Sequence, residues 1–510
     1  MTWPLLFAVA VCAGGSSFQF GYALGVVNVP QQDIMEWIGY HNERALNALN
    51  VSSDEFNSAT YENARTRLIW SSIVSIYTIG GIIGGLACST VANVVGRKRG
   101  MLLNNVVALI ASALMTLSKF AGTYLLLLGG RFIIGLNAGL NTGLAPMYLT
   151  EISPVKLRGG VGSAHQLVIA TSILISQAVG LAVSRTNKEL WPLVFGVAAV
   201  PAVLQMLLLP FCPESPMHSL IVKGEIEKAE KDLKYLRARE DVNEELRALK
   251  QQAAQTLAVK RVSFRDMIKY PLLWPLSVAV MMMFSQQLTG INAATFYSTA
   301  VFQGIGLSAF ASQLGTLMLG VLQVAFSIVS MITIEQFGRR ALHLTGMSIM
   351  LVATVLLVIF SAISKVNDGM HWAAYVSVVG LMLFVIGFAV GPGPVPPFYV
   401  SELFDQHARG HANSIAVCAN WSAILFVGMM FPSWNSWAQQ YSFLFYTVVL
   451  TLFICYTYLF VPETKHRPIE DIVRKMSEVK SVTSLNSMLA LERKRSAETG
   501  FDSPFHTSYM

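Results

Sequence analysis

Seven carboxamides stand inside otherwise apolar stretches: Gln166, Gln177, Gln286, Gln287, Asn292, Gln323 and Asn420. A carboxamide both donates and accepts hydrogen bonds. That is the chemistry needed to hold a neutral, polyhydroxylated solute. Polar groups in an apolar run are costly unless they line a cavity or find partners. Gln286, Gln287 and Asn292 share one stretch broken at Gly290, which turns both sides of the break toward one space. For any one of these amides, bonding between neighbouring helices is the competing role.

A second constellation is charged. Arg97, Glu151, Arg158, Glu335, Arg339, Arg340, Glu402 and Arg409 sit where apolar runs end. Carboxylates and guanidiniums there form bidentate pairs across bundle faces. An exposed pair contributes only about 0–1 kcal/mol. A set that forms as one side closes biases a two-state rocking equilibrium. The bland alternative is topological, because basic residues flank membrane helices anyway. Arg131 differs from the others, as the one basic residue within a span.

The elements that position these groups follow from composition. Of 510 residues, 54% are hydrophobic and 13% charged, with mean hydropathy +0.53. Soluble domains average about 25% charged residues, so an ordinary soluble enzyme, a disordered chain and a nucleic-acid binder are excluded. A crossing helix needs about 20 apolar residues. Spans fall within 1–30 and near 68–91, 100–118, 121–146, 161–183 and 190–212. After a charged insert at 214–269, the charge-free run 270–334 holds two more. The last four lie near 341–363, 372–397, 412–433 and 441–461. A cleaved signal peptide is the alternative for the first span, but it lacks a basic leader and its apolar run is too long. All five cysteines lie in apolar runs and form no disulfide pattern. The nine histidines show no metal-ligand spacing.

The positive-inside rule fixes orientation. With both termini cytoplasmic, inside segments hold 28 basic and 21 acidic residues, against 7 and 8 outside. The net +7 therefore faces the cytoplasm and requires no nucleic acid. The outside loop 31–67 carries Asn50-Val51-Ser52, a glycosylation acceptor. The insert has helical charge spacing and reads as short amphipathic helices, or else as a solvated linker. The polar tail reads as disordered.

The halves repeat. Pro146 to Glu151 and Arg158-Gly159 recur as Pro397 to Glu402 and Arg409-Gly410, offset by 251 residues. Gly96-Arg97-Lys98 recurs as Gly338-Arg339-Arg340, and Pro213-Glu214-Ser215 as Pro462-Glu463-Thr464. The expected fold is an all-α membrane protein of twelve transmembrane helices. They form two six-helix repeats with a cytoplasmic helical insert. The expected units are 1–213, 214–269, 270–463 and 464–510. Between 387 and 397, three glycines and four prolines forbid a regular helix and mark a gate or a kink.

Several motifs stand together: Gly130-Arg131-Phe-Ile-Ile-Gly135, Pro213-Glu-Ser-Pro216, Gln286-Gln287-Leu-Thr-Gly290-Ile-Asn292, Gly391-Pro-Gly-Pro394 and Pro462-Glu-Thr-Lys465. In combination they resemble the sugar porters of the major facilitator superfamily, and more narrowly the animal facilitative hexose transporters (GLUT family), over roughly 5–470. The resemblance implies that Gln166, Gln286, Gln287 and Asn292 hydrogen-bond a hexose; Gln323 and Asn420, amides of the same kind within apolar runs, join them as candidate ligands. It implies aromatic walls from Phe20, Phe296, Tyr297 and Trp421, although Trp421 reads equally as core. It also implies a plasma-membrane, multi-pass carrier.

The chain departs from the family pattern. Gln323 and Ile424 stand where Asn is usual, Ala389 where many glucose-selective members have Glu, and Pro397 where they have Trp. Met217 replaces an Arg and His466 a Gly in two motifs. The drift at Ala389 is toward fructose-tolerant members, so glucose is expected with fructose alongside. Proton-coupled relatives carry an Asp in the first helix, where this chain has Ala23. No Asp or Glu lies inside helices one, two, five, seven or eight. The expectation is uniport, with proton symport the runner-up and a non-transporting sugar sensor third. No Ser-His-Asp set, HExxH motif or phosphate-cradling loop points to an enzyme, and no cofactor or metal is called for. The partners are a hexose and the lipid bilayer.

Overall fold

The structure, a computed structural model, describes residues 2–48, 58–154, 157–221, 223–258, 263–269, 272–366, 371–404 and 406–465. Every regular element among them is helical. The first span, α1 (Trp3–Gly25), contains a π-helical turn at Ala13–Ser17. It is followed by α2 (Gln31–Ala48) and then α3 (Ser58–Val94), α4 (Arg97–Leu117), α5 (Tyr124–Ile152), α6 (Arg158–Thr186) and α7 (Lys188–Phe211). Four short helices form the insert: α8 (Pro216–Ile221), α9 (Ile226–Arg237), α10 (Asn243–Ala258) and α11 (Phe264–Met267). The second half holds α12 (Leu273–Leu288), α13 (Ile291–Gly304), α14 (Ala309–Phe337), α15 (Arg339–Val366), α16 (His371–Val390), α17 (Val395–Leu403), α18 (Gln406–Ala438) and α19 (Leu444–Phe460).

Ten of these helices are long and apolar enough to cross a bilayer. The two remaining crossings are α19, of 17 residues, and the seventh span, which breaks into α12 and α13. The break is at Gly290, whose φ is +100°. A Cβ there would also lie 2.7 Å from the Tyr446 ring, so only glycine fits. The tenth span breaks as its prolines require. Gly391–Pro394 form turns between α16 and α17, and the Gly393 N–H donates to Phe388 O at 2.8 Å.

One element was unexpected. The loop after the first span begins with the helix α2, because Ile34 and Ile38, one turn apart, are fully buried. Asn50 lies outside the described residues. The free cysteines agree with the absence of a disulfide pattern.

Candidate functional site

The break at Gly290 places Gln286 and Gln287 at the end of α12 and Asn292 at the start of α13. Asn420 reaches them from α18. Gln287 donates to Gln286 Oε1 and to Asn420 Oδ1, both at 3.1 Å. Asn292 donates to Gln287 Oε1 at 2.7 Å, and Asn420 to Gln286 Oε1 at 2.6 Å. Gln286 donates to Gly393 O, the carbonyl freed by the break in the tenth span, at 2.6 Å. Four amides and one backbone carbonyl therefore close a polar patch on the inner side of the second half.

The other expected ligands stand apart. Gln166 on α6 borders a small void with Ser327, Met331 and Pro394, across the seam between halves. Gln323 is buried in α14. Gln177 packs against Gly320, and its Oε1 has no partner among the described residues. The aromatic residues divide into two sets. Phe20 lies 5.7 Å from Trp421, which also meets Tyr77 at 5.5 Å, so this set bridges the halves. Phe296 and Tyr297 are buried in a plug with Phe431. The Tyr297 hydroxyl donates to Gly428 O at 3.0 Å.

The face away from the insert is shut by residues that sequence reasoning passed over. Asn28, at the end of the first span, donates to Thr295 O (2.6 Å) and Ser298 Oγ (2.8 Å) of α13. Thr299 N–H donates back to Asn28 Oδ1 at 3.4 Å. Gln313 of α14 donates to Ser184 of α6 at 3.3 Å, and Arg67 of α3 to Ser436 of α18 at 2.9 Å. A second overlooked set lies inside the first half. Gln19 donates to Asn105 (2.7 Å), Asn137 to Gln19 (3.1 Å), Asn104 to Asn141 (2.9 Å) and Asn141 to Asn137 (3.2 Å). The available signal was the spacing of Asn137 and Asn141, which puts two amides on one helix face.

The charged constellation forms two copies of one device. Arg97 pairs with Glu151 at 2.9 Å, and Arg339 with Glu402 at 2.9 Å. Glu151 accepts from Ser215 Oγ, and Glu402 from Thr464 Oγ1. Glu214 accepts from the N–H groups of Lys98 and Ser215, and Glu463 from those of Arg339, Arg340 and Thr464. Tyr148 donates to Pro213 O and Tyr399 to Pro462 O. Gly96 and Gly338 begin the two copies at φ +101° and +90°, and a Cβ on either would sit 2.7 Å from its glutamate. Each pair closes within its own half, joining helices of that half to its final motif. Arg340 also donates to Tyr458 O, and Arg409 to Phe404 O. The side chains of Arg158 and Glu335 lie outside the described residues. Arg131 is fully buried over Tyr77, 4.4 Å from the ring centre, and donates to Ala23 O at 2.8 Å and Ile73 O at 3.4 Å. Backbone carbonyls thus take the place of a carboxylate. Among the described residues, no group of His, Cys, Asp and Glu is arranged to hold a metal.

Comparison with known proteins gives this geometry its setting. The family described as "Sugar (and other) transporter" matches residues 8–476. The chain is 45% identical over 460 residues to facilitated glucose transporter protein 1 of Caenorhabditis elegans, covering 90% of this chain and 88% of that one. It is 38% identical to the solute carrier family 2, facilitated glucose transporter member 1, of Gallus gallus, covering 94% of each. Its fold matches a partially occluded, inward-open xylose transporter from E. coli with TM-score 0.73 at 23% identity, over 91% of this chain and all of that one. It matches a proton:xylose symporter bound to 6-bromo-6-deoxy-D-glucose with TM-score 0.74 at 24% identity, over 94% and 98%.

Proposed function

We infer a hexose uniporter from one premise: this chain belongs to the sugar transporter family, in its facilitated glucose transporter (GLUT) group. It is a multi-pass membrane transporter and not an enzyme. The finer reading is passive transport of D-glucose, with fructose as a second substrate, across the plasma membrane by alternating access. Both termini and the insert are cytoplasmic in this reading, which makes the Asn28 side external. The rocking units are 1–213 and 270–463, with 214–269 as the insert and 464–510 as the tail.

The observation that carries the reading is the amide patch at Gly290. Its members hydrogen-bond one another, so a sugar hydroxyl entering the patch exchanges one bond for another. Each hydrogen bond formed to the sugar contributes at most about 0.5–1.5 kcal/mol. A few together give millimolar binding, near −4 kcal/mol, weak enough for release on the other side. Gln166 and the Phe20–Trp421 pair complete the passage from the opposite half.

Uniport rests on Arg131. Its bonds go to Ala23 O and Ile73 O rather than to an acid, so among the described residues no carboxylate pairs with it. The test is purified protein in liposomes with labelled glucose, fructose and galactose. Equilibration without accumulation, unchanged by a protonophore, is expected. Accumulation driven by a proton gradient would replace uniport with symport.

A further inference from the structure

A cavity of about 820 Å³ opens on the Asn28 side, within the roughly 300–1,000 Å³ range of small-molecule sites. Both halves build it. The first half supplies Asp33, Glu36, Arg185 and Lys188, and the second supplies Gln303, Phe310 and Gln313. Asn28 and Thr299, which bond to each other across the seam, also line it. No residue of the amide patch lines it, and the buried Phe296 and Tyr297 lie between Asn292 and Thr299 on α13, so the cavity is distinct from the patch.

Its chemistry is selective. Two carboxylates and two cations balance, and part of that balance is internal. Lys188 lies 3.9 Å from Asp33, and the Arg185 guanidinium sits over Phe310, 4.2 Å from the ring centre. An ion entering such a wall gains no net charge complement. A neutral polyol gains much, because carboxylates accept and amides both accept and donate. The volume exceeds what one pyranose ring needs.

We propose that this cavity is a second carbohydrate site, which takes an uncharged oligosaccharide from outside while the external side is closed. The proposal rests on the alternating-access reading and on its orientation. Opening the external side must break the Asn28–Thr299 and Ser184–Gln313 bonds, and that draws the two walls apart. A ligand bound to both walls binds the closed state better, so it shifts the population toward that state. It therefore slows uptake without competing for the amide patch.

Raffinose, an uncharged trisaccharide, is the probe. Initial uptake of labelled glucose is measured in right-side-out vesicles with external raffinose, at osmolarity held constant with salt. Maximal rate is expected to fall by roughly half at saturating raffinose, with KM unchanged. Glu36→Ala and Gln303→Ala, one on each wall, are expected to remove the inhibition while leaving uptake without raffinose near wild type. A raised KM at constant maximal rate, surviving in both variants, would place raffinose in the central passage and overturn the proposal. So would the absence of any effect. Saturation-transfer NMR on purified protein reads raffinose contact directly, and signal equal in wild type and Glu36→Ala also overturns it. If the wild type moves no hexose, the transport reading fails, while the NMR measurement still decides the site.

Discussion

The first helix of each half begins from the same place in the repeat and puts its polar side chains to opposite use. In α1, Ser16 accepts from Gln205 (3.0 Å), the Ser17 hydroxyl lies 2.6 Å from His165 Nδ1, and Gln19 bonds to Asn105 and Asn137. Around its π-helical turn, three polar residues within four positions tie α1 to α7, α6, α4 and α5. In α12 and α13 the polar groups bond to one another, to Asn420 and to a carbonyl exposed by a broken helix. The α1 bonds knit helices together, and breaking one strands a buried group. The α12–α13 bonds line a seam and can be traded with a ligand. Similar amide content thus yields a scaffold in one half and an exchangeable surface in the other.

The contrast is broken or upheld most sharply by Gln287→Ala. The Gln287 carboxamide makes two donated bonds and one accepted bond, and the bonds it offers a sugar in their place are worth about 1–3 kcal/mol. Glucose counterflow at low concentration is expected to fall about tenfold or more, while the thermal midpoint stays near wild type. Full transport at all sugar concentrations would remove the amide patch from the mechanism.

The mirror experiment is Asn137→Ala. It deprives Gln19, Asn104 and Asn141 of partners inside the first half, leaving buried polar atoms at about 1–3 kcal/mol each. The expected outcome is a thermal midpoint several degrees lower, with turnover per folded molecule unchanged. If Asn137→Ala kept its stability but lost transport, the two helices would not differ as described.

Asn28 belongs to α1 yet bonds to α13, so it joins the two regimes. Asn28→Ala removes three bonds that exist only with the external side shut. At about 0.5–1.5 kcal/mol per bond, the equilibrium is expected to move several-fold toward the externally open state. Alkylation of a cysteine placed at Thr299 is expected to speed up accordingly. An unchanged rate would mean that the Gln313–Ser184 and Arg67–Ser436 bonds and the aromatic plug hold that side without Asn28.

How much of this was legible depended on whether a feature repeats along the chain or only in space. The six-plus-six layout was readable because charge interrupts each apolar run, and the Glu151 and Glu402 devices because their residues recur at one offset. Gln286, Gln287 and Asn292 were readable because they share one stretch. Asn420 joins them from 133 positions away; it was visible as an amide in an apolar run, but nothing in its spacing tied it to this stretch. Gln19, Asn104, Asn105, Asn137 and Asn141 were missed because an Asn in an apolar helix looks the same whether it meets a cavity or another helix. The charged residues were identified, but not that each pair closes inside its own half. The polar segment after the first span concealed a helix, since the residues that anchor its start, Ile34 and Ile38 with Met35 and Trp37 beside them, are few and lie among polar ones.

The smallest predicted effect extends the contrast to the insert, which docks on the first half's copy of the charged device. Asp232 of α9 borders a cavity beside Glu214 and Lys98, and one of its carboxylate oxygens is buried without a partner among the described residues. Burial first, opposed by Lys228 and reinforced by Glu214, pushes its carboxyl up to about 6 from 3.8. The folded state therefore holds this proton more tightly than the unfolded chain does. Its ionisation costs nothing below the unfolded value, an increasing amount as pH rises toward 6, and a constant amount above. Asp232→Asn is expected to stabilise the protein at pH 7.5 by about 1 kcal/mol, after allowance for solvent screening of a half-exposed group. The gain should shrink at pH 5 and vanish near pH 4. A pH-independent gain would show that the carboxylate's charge is not what opposes docking. A loss would mean that Lys98 and Lys228 hold the ionised form, and that the insert is fastened by charge rather than despite it.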